Sequence, residues 1–336
     1  MMRTSLRRTM AVLALGLIGF VGASGPAAAQ PSAQSSTQSW PSNPIRIIVP
    51  FPPGGTTDQI ARRVQPLLQA DLKVPVIIEN RGGASGSIGT QVAVASPADG
   101  TVFLLAFDTH AVNPSVLPSL PYDTLRDLAP VMLIGTSPMV IAVHRASPYR
   151  SFGDIVAAAR KGDGAINYGT VGAGSLAHLA MASIAGGLKV TMTHVPYRGG
   201  GPLLTDAIAG HIPVTIASIA LLSPQISSGG LRALAVTSAS RYPQLPDVPT
   251  VSELGLAIDA QSWWGLLAPA RTPPDIIARM HEALAKALEA ETVRQSLSEQ
   301  GLIYRLSSPE ELGRFLEAEI PRWAKVVKEN RIVAGE

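Results

Sequence analysis

Two hydrophobic patterns alternate along the chain: short apolar runs rich in β-branched residues, and longer runs with an apolar residue at every third or fourth position. The first pattern predicts buried strands and the second predicts amphipathic helices. Before residue 110 they predict strands at 45–51, 74–79 and 101–107, with helices at 57–70 and 86–95. This β-α-β-α-β order indicates an α/β fold with a parallel, doubly wound sheet.

A second block of the same kind follows a long apolar stretch at 130–143. Its pattern predicts strands at 165–169, 190–197, 212–218 and 231–237, and helices at 151–161, 175–185 and 202–209. An apolar run at 263–267 and two strong helical patterns close the chain. The first of these helices is expected at 275–288. The second begins at a capping box at 308–311 and meets Pro321, which should kink or restart it.

The elements after residue 237 are too few to form a third domain. We therefore expect the chain to leave a first domain, build a second and return, so that two crossings form a hinge between two α/β domains that enclose a cleft. The predicted divisions are a signal peptide at 1–29, a flexible N-terminus at 30–43, a discontinuous first domain at 44–135 plus 238–336, and a second domain at 136–237.

The first 29 residues are typical of an export signal. Arg3, Arg7 and Arg8 precede an apolar run at 11–23, and small residues follow that run up to Ala29. This is the order found in secretory signal peptides. A membrane anchor is the alternative, but the run is too short to cross about 30 Å of hydrocarbon. We therefore expect cleavage near Ala29 and a protein of the periplasm.

The charge balance changes once this leader is set aside. The full chain has 27 Lys and Arg residues against 24 Asp and Glu residues. The excess lies wholly in the leader, so the exported protein would be neutral, which argues against nucleic acid as a partner. Cysteine is absent, and this excludes disulfides, thiolate metal sites, cysteine nucleophiles and a lipidated N-terminus.

A glycine-rich loop, FPPGGTTD, follows the first predicted strand at 51–58. Glycines let a ligand approach the backbone, and the first turn of the next helix presents free N–H groups and a partial positive charge that suit an anion. The alternative is structural: Gly54 and Gly55 form a tight turn, Thr56 caps the helix and Asp58 favours its dipole. This loop alone does not separate the two interpretations.

The second block repeats this design in GTVGAGS at 169–175. A dinucleotide fingerprint, G-x-G-x-x-A, begins at Gly172, but the next strand ends in Tyr197 and Arg198 rather than in the acidic residue that would hold a ribose. An exported NADP-dependent oxidoreductase is the alternative, because Arg198 could face a 2′-phosphate. We favour two opposed helix N-termini, one from each domain, that face a small anion across the cleft.

Four further side chains have both a functional and a structural interpretation. Arg198 could pair with a carboxylate or form a salt bridge at the rim, and His178 could contact a ligand or be a hydrogen-bonded structural histidine. One of Trp263 and Trp264 could line the cleft, whereas both could pack in the core. The six histidines lack metal-ligand spacing, and no hydrolase or phosphate-loop motif occurs. We therefore expect a binding protein rather than an enzyme, with neither a metal nor a cofactor.

Five further stretches are distinctive: PIRIIVPFPPGGTTDQIAR, VIIENRGGASGSIGT, HVPYRGGGPLLTDAIAGHI, LRALAVTSASRYPQLPDVPTVSELGL and WWGLLAPARTPPDIIARM. In this succession they resemble the Bug-type substrate-binding proteins of tripartite tricarboxylate transporters, over essentially all of residues 41–331. The resemblance implies a periplasmic binding protein of type II, in which two α/β domains close like a Venus flytrap. It also implies capture of a small carboxylate and its delivery to inner-membrane transporter subunits.

In that family the ligand carboxylate is held largely by backbone N–H groups, small hydroxyls and water at two glycine-rich loops. The resemblance therefore implies ligand contacts at Phe51, Pro53, Gly54, Gly55, Thr56, Thr57, Asp108, Thr109, His110, Gly172, Ala173, Gly174, Ser175, His178, Tyr197, Arg198, Gly199 and Ser218.

One of these positions departs from the family pattern. Family members often carry an acidic residue after the strand that ends here at Ser218, which has uncharged neighbours. We therefore expect a mono- or dicarboxylate, aromatic ones included, rather than an amino acid whose ammonium group needs a partner. The expected partners are this ligand and the transporter subunits, with a monomeric receptor. A periplasmic sensor that signals to a kinase is a compatible alternative.

Overall fold

The computed structural model describes residues 40–117, 119–162, 166–256, 258–330 and 332. The predicted signal peptide at 1–29 and residues 30–39 of the predicted flexible N-terminus lie outside the described residues, as does Ala165 at the start of one predicted strand. None of the described helices is long and apolar enough to cross a bilayer.

The described residues alternate between strands and helices as the hydrophobic pattern predicts. The strands are β1 (Ile45–Val49), β2 (Val76–Asn80), β3 (Val102–Phe107), β4 (Leu128–His144), β5 (Asn167–Thr170), β6 (Thr193–Pro196), β7 (Val214–Ser218), β8 (Leu231–Val236), β9 (Gln261–Pro269) and β10 (Ile303–Tyr304). The helices are α1 (Thr56–Leu72), α2 (Ser87–Val94), α3 (Thr109–Val116), α4 (Phe152–Ala159), α5 (Leu176–Leu188), α6 (Gly200–Ala209), α7 (Ile219–Ser227), α8 (Pro274–Glu289), α9 (Glu291–Glu299) and α10 (Pro309–Glu329).

Strand β4 belongs to two sheets and so connects two halves of the molecule. In the first half the strand order is β2-β1-β3-β9-β4, and β10 also pairs with β4; in the second half the order is β4-β7-β5-β6, and β8 also pairs with β4. Strands β1, β2 and β3 are parallel to one another, as are β5, β6 and β7. The predicted α/β fold of two doubly wound blocks is thus confirmed. Strands β7, β8, β9 and β10 run antiparallel to β4.

The segments that cross between the halves are hydrogen-bonded to one another through Thr237. Met139 of β4 donates its N–H to Oγ1 of Thr237 (3.1 Å), and its carbonyl accepts the Thr237 N–H (3.0 Å). The Thr237 hydroxyl donates to the carbonyl of Ala260 (2.6 Å), directly before β9. One side chain therefore links β4, the chain after β8 and the residue before β9 at the boundary between the halves.

Each half has its own hydrophobic cores, but their membership does not follow the predicted domain ends. The core around β5, β7 and α5 also contains Val112 and Val116 of α3 and Trp323 and Val327 of α10. Helices from before and after the second block therefore pack against it. The domain limits, 44–135 plus 238–336 and 136–237, stay a prediction.

The hydrophobic pattern does not predict the short helices α3, α7 and α9. Helices α3 and α7 begin directly after a strand and contain Pro114 and Pro224, so that their apolar residues resemble the end of a strand followed by a loop. Helix α10 runs through Pro321 without interruption, and it does not restart there.

Candidate functional site

Two neighbouring cavities lie between loops of the two halves, where β1, β5 and β6 end. The large cavity has a volume of about 650 Å³ and is lined by Phe51, Pro52, Gly82, Gly83, Ala84, Ser85, Gly86, Val171, Gly172, Ala173, Pro196, Tyr197 and Arg198. The small cavity, of about 20 Å³, is lined by Phe51, Gly55, Thr56, Thr57, Phe107, Val171, Gly200, Ser218 and Leu221. The carboxyl ends of parallel strands are where open α/β sheets bind ligands.

One carboxylate holds the loop between β1 and α1 in place. Asp58 accepts hydrogen bonds from the N–H of Gly54 (3.0 Å), from Nδ2 of Asn80 (3.0 Å) and from Nε of Arg62 (2.9 Å). Burial alone would raise the pKa of Asp58, but these bonds and the charge of Arg62 lower it. Gly54 has a φ of +92°, which glycine adopts without steric cost. The loop is therefore preformed and does not need ligand to order it.

Three helix N-termini meet at the small cavity. Gly55, and not Thr56, is the N-cap of α1, so the interpretation of Thr56 as a cap is wrong. Oγ1 of Thr56 is buried without a hydrogen-bond partner among the described residues. The N-termini of α6 at Gly200 and of α7 at Ser218 line the same cavity. Because each N-terminus carries a partial positive charge, a small anionic group would be stabilised there.

The two halves are in contact beside the small cavity. A Cβ atom added to Gly201 would lie 2.6 Å from the carbonyl oxygen of Pro53, and one added to Gly55 would lie 3.5 Å from the backbone nitrogen of Gly200. A side chain at Gly201 would therefore prevent this approach of α6 to the β1–α1 loop. The structure represents a closed arrangement of the two halves.

The carboxyl group of Asp108 lies at the N-terminus of α5, where the resemblance implies ligand contacts. Burial raises the pKa of Asp108 to about 8, although the hydroxyl of Ser262 and the N–H of Leu176 hydrogen-bond to the group. Asp108 is only 1% exposed and so reaches α5 from the protein interior. A carboxyl group of the protein at this helix end disfavours the alternative in which a dinucleotide pyrophosphate binds there.

Two histidines support the loop between β5 and α5. Nδ1 of His178 accepts the N–H of Gly174 (3.1 Å), and Nε2 of His194 hydrogen-bonds the hydroxyl of Thr170 (2.8 Å). Their rings stack with centroids 3.8 Å apart. Burial lowers the pKa of His178 to about 4, and burial together with His178 lowers the pKa of His194 to about 3. Both rings are therefore neutral near pH 7, and His178 has the hydrogen-bonded structural role that the sequence left open.

Tyr197 and Arg198 line one side of the large cavity. The hydroxyl of Tyr197 donates to Asp206 (2.8 Å). Arg198 is exposed and forms no ion pair with any residue that the structure describes, so the predicted alternative of a rim salt bridge is not seen there. Among the residues that the structure describes, no Asp or Glu lines either cavity, and the lining therefore favours a negatively charged ligand.

The segment at 82–86, after β2, lines the large cavity although sequence reasoning did not select it. Its residues 83–86 all have positive φ values, between 44° and 131°. The hydroxyl of Ser85 donates to the carbonyl of Ala173 in the second half (2.6 Å), and Nδ2 of Asn113 donates to the Ser85 carbonyl (3.1 Å). A run of small residues directly after a parallel strand is the signal that could have identified this segment.

The structure brings half of the predicted ligand residues to a cavity wall. Those that line a cavity are Phe51, Gly55, Thr56, Thr57, Gly172, Ala173, Tyr197, Arg198 and Ser218. Those that are part of neither lining are Pro53, Gly54, Asp108, Thr109, His110, Gly174, Ser175, His178 and Gly199. Ser175, for example, is fully buried and caps α5 by accepting the N–H of His178. The ligand contacts of all these residues stay a prediction.

An aromatic cluster forms the wall behind the small cavity. Trp263 and Trp264 are both fully buried, which agrees with core packing of the pair. Nε1 of Trp264 donates to Oγ1 of Thr57 (3.2 Å). The ring centroids of Trp264 and Phe107 lie 5.4 Å apart, and those of Phe107 and Phe51 lie 5.5 Å apart. The cluster therefore fixes two cavity residues, Thr57 and Phe51, from the core side.

Two α/β halves joined by crossing strands, with cavities walled by loops of both, define a solute-binding protein of the periplasmic type II class. The profile of the family described as "Tripartite tricarboxylate transporter family receptor" matches residues 60–332. BugT of Bordetella pertussis is 35% identical over 330 residues, which cover 97% of this chain and 98% of BugT. The chain therefore belongs to the tripartite tricarboxylate transporter family of receptors, and its predicted resemblance to Bug-type proteins is confirmed.

Two solved structures from the same class match nearly the whole of the described fold. A protein of R. palustris with adipate has a TM-score of 0.83 at 34% identity, over 88% of this chain and 99% of that one. MatC of Rhodopseudomonas palustris with bound malate has a TM-score of 0.81 at 29% identity, over 86% of this chain and 100% of MatC.

Proposed function

We propose that this protein is a periplasmic receptor that captures a small carboxylate between its two halves and delivers it to inner-membrane transporter subunits, without transforming it. The observation that carries the proposal is the meeting of the N-termini of α1, α6 and α7 at the small cavity, beside the unpartnered hydroxyl of Thr56. A carboxylate accepts charge-assisted hydrogen bonds and is stabilised by the positive ends of helices.

The ligand in this proposal extends from the small cavity into the large one. A void of about 20 Å³ holds roughly one water molecule. The helix ends therefore contact one carboxylate oxygen directly or through such a water. The rest of the ligand occupies the large cavity, where the unpaired guanidinium of Arg198 can bind a second anionic group.

The absence of acidic side chains from both linings within the described residues supports a plain carboxylate over an amino acid. An ammonium group placed in either cavity would meet helix N-termini or Arg198 and find no opposite charge. The dicarboxylates in the two R. palustris structures, malate and adipate, are consistent with this class of ligand.

The proposal includes export and a two-domain closure. Residues 1–29 act as a signal that is cleaved near Ala29, and the mature chain acts as a monomer. The first domain comprises 44–135 plus 238–336, and the second comprises 136–237. A change of partner along β4 supports this division, because Pro138 pairs with β9 of the first half and Met139 with β7 of the second.

Titration calorimetry of the mature chain, residues 30–336, with adipate, malate and aspartate tests the proposal. We expect at least one dicarboxylate to bind and aspartate to bind far more weakly. Thr56→Val keeps the side-chain volume but removes the hydroxyl, and it should weaken binding about tenfold, as for a hydrogen bond to a charged group. Thr101→Val, at a hydroxyl that donates to Asp99 (2.6 Å) and lines neither cavity, is the matched control. Tight binding of aspartate alone, or unchanged affinity in Thr56→Val, would contradict the proposal.

A further inference from the structure

The hydrogen bond from Ser85 to Ala173 joins the two halves directly. We call this contact, from Oγ of Ser85 to the carbonyl of Ala173 at 2.6 Å, the Ser85 bridge. It is distinct from the contact of Gly201 with Pro53 at the small cavity. Both residues of the bridge line the large cavity, so this cavity is enclosed only when the β5–α5 loop lies against the segment at 82–86.

The backbone on the donor side of the bridge is strained. Ala84 and Ser85 have φ values of +44° and +51°, a left-handed conformation that is unfavourable for residues with a Cβ atom. Nδ2 of Asn113 donates to the Ser85 carbonyl (3.1 Å) and holds this conformation. Strain of this kind persists where surrounding contacts impose it, and here it aims the Ser85 hydroxyl at the second half.

The acceptor side of the bridge is fixed independently. Gly172 donates its N–H to the hydroxyl of Thr170 (3.3 Å), and Gly174 donates its N–H to His178 (3.1 Å). These bonds flank Ala173 and orient its carbonyl. A Cβ atom on Gly172 would lie 3.4 Å from Oγ of Ser85, so glycine permits the close approach of the two segments.

We propose that Ser85 is a positioning residue whose hydroxyl fastens the β5–α5 loop to the first half and thereby stabilises the closed arrangement. Ser85 acts on affinity through closure, and in this respect the inference rests on the proposed receptor function. A ligand that needs both halves binds only the closed state, so its apparent affinity falls in proportion to the closed fraction.

The chain contains no cysteine, so one introduced thiol can report on opening without ligand. Ser218→Cys places this thiol at the small cavity, in a position that is 5% exposed. Its rate of reaction with a bulky maleimide then measures the open fraction, even when that fraction is small. In this background Ser85→Ala should speed the reaction about two- to tenfold, as expected for one net hydrogen bond. Ser85→Gly, which removes the hydroxyl and relieves the strain, should speed the reaction as well.

Ser96→Ala is the matched control, because it removes a side-chain hydrogen bond of 2.7 Å that stays within one half. It should leave the labelling rate unchanged. Equal rates in the parent and both Ser85 variants would overturn the proposal, and so would an equal acceleration in Ser96→Ala, which would indicate general loosening. Since the measurement uses no ligand, its outcome is independent of the calorimetric test of carboxylate binding.

Discussion

At the scale of single residues, charge complementarity at the site comes from local groups and not from the field of the whole protein. Without residues 1–29 the chain has equal numbers of basic and acidic residues. Arg198 is the only cation in the linings of the two cavities within the described residues. Selection of an anion therefore depends on this guanidinium and on backbone N–H groups at helix ends. The buried helix ends act over a few ångströms, and solvent ions screen them little.

Protonation of His178 should weaken the fold at acidic pH. Burial lowers the pKa of His178 to about 4, whereas an unfolded chain binds the proton near pH 6.5. Between these values the unfolded state binds more protons, so the free energy of unfolding should fall as pH falls from about 6.5 to 4. His178→Asn retains an acceptor for the Gly174 N–H but cannot titrate. Over this pH range its free energy of unfolding should fall by about 2 kcal/mol less than that of the parent protein.

Denaturant unfolding at pH 7 and pH 4.5 checks this prediction, with His281→Asn as the control. His281 also hydrogen-bonds the backbone, at the carbonyl of Ser307 (2.9 Å), but it lies outside the site. An equal loss of stability on acidification in the parent protein and His178→Asn would contradict the assignment of a neutral His178.

At the scale of secondary-structure elements, the sequence predicts the parts of the site that depend on local patterns. The β1–α1 loop is predicted because glycines follow a β-branched strand and precede a clear helix. Helix α7 is missed because Ser218 passes straight from β7 into the apolar residues Ile219 and Ala220, with no turn residue between them. Contacts between distant segments are beyond any local pattern: Asp108 meets Leu176 only after both halves have folded.

The contact between α6 and the β1–α1 loop should be sensitive to a single methyl group. In the closed arrangement the Cβ of Gly201→Ala would lie 2.6 Å from the Pro53 carbonyl, which forces the halves apart. We expect closure to cost about 1–3 kcal/mol more, the usual cost of overpacking, and dicarboxylate affinity to fall about tenfold or more. The free energy of unfolding should fall less than the free energy of binding, because the clash disappears when the cleft opens.

Calorimetry and denaturant unfolding of Gly201→Ala measure the two quantities separately. Gly153→Ala is the control, since its added Cβ would meet only Oγ of Ser151, at 3.5 Å. Unchanged affinity in Gly201→Ala would mean that ligand binds without this contact.

At the scale of the whole molecule, the crossing segments determine how the halves can move. The sequence predicts two crossings, and at this boundary the structure places three segments side by side, at Met139, Thr237 and Ala260. The additional segment arises because residues between 238 and 260, which the proposed division gives to the first domain, pack in part on the second half, where Tyr242, Val251 and Leu256 are buried. Three hydrogen-bonded segments resist sliding but allow bending, so we expect the halves to move as rigid bodies about this line.

Small-angle X-ray scattering of the mature chain should detect this movement. A compact chain of this size has a radius of gyration of about 19 Å, and saturation with a dicarboxylate that binds in calorimetry should bring the measured value down towards it. Ala173→Trp should show no compaction on adding the same dicarboxylate, because the indole would occupy the wall of the large cavity where the ligand and the β5–α5 loop meet. Ligand binds the closed state better and so increases its population. A wild-type radius that does not change on saturation would contradict closure of the two halves on ligand binding.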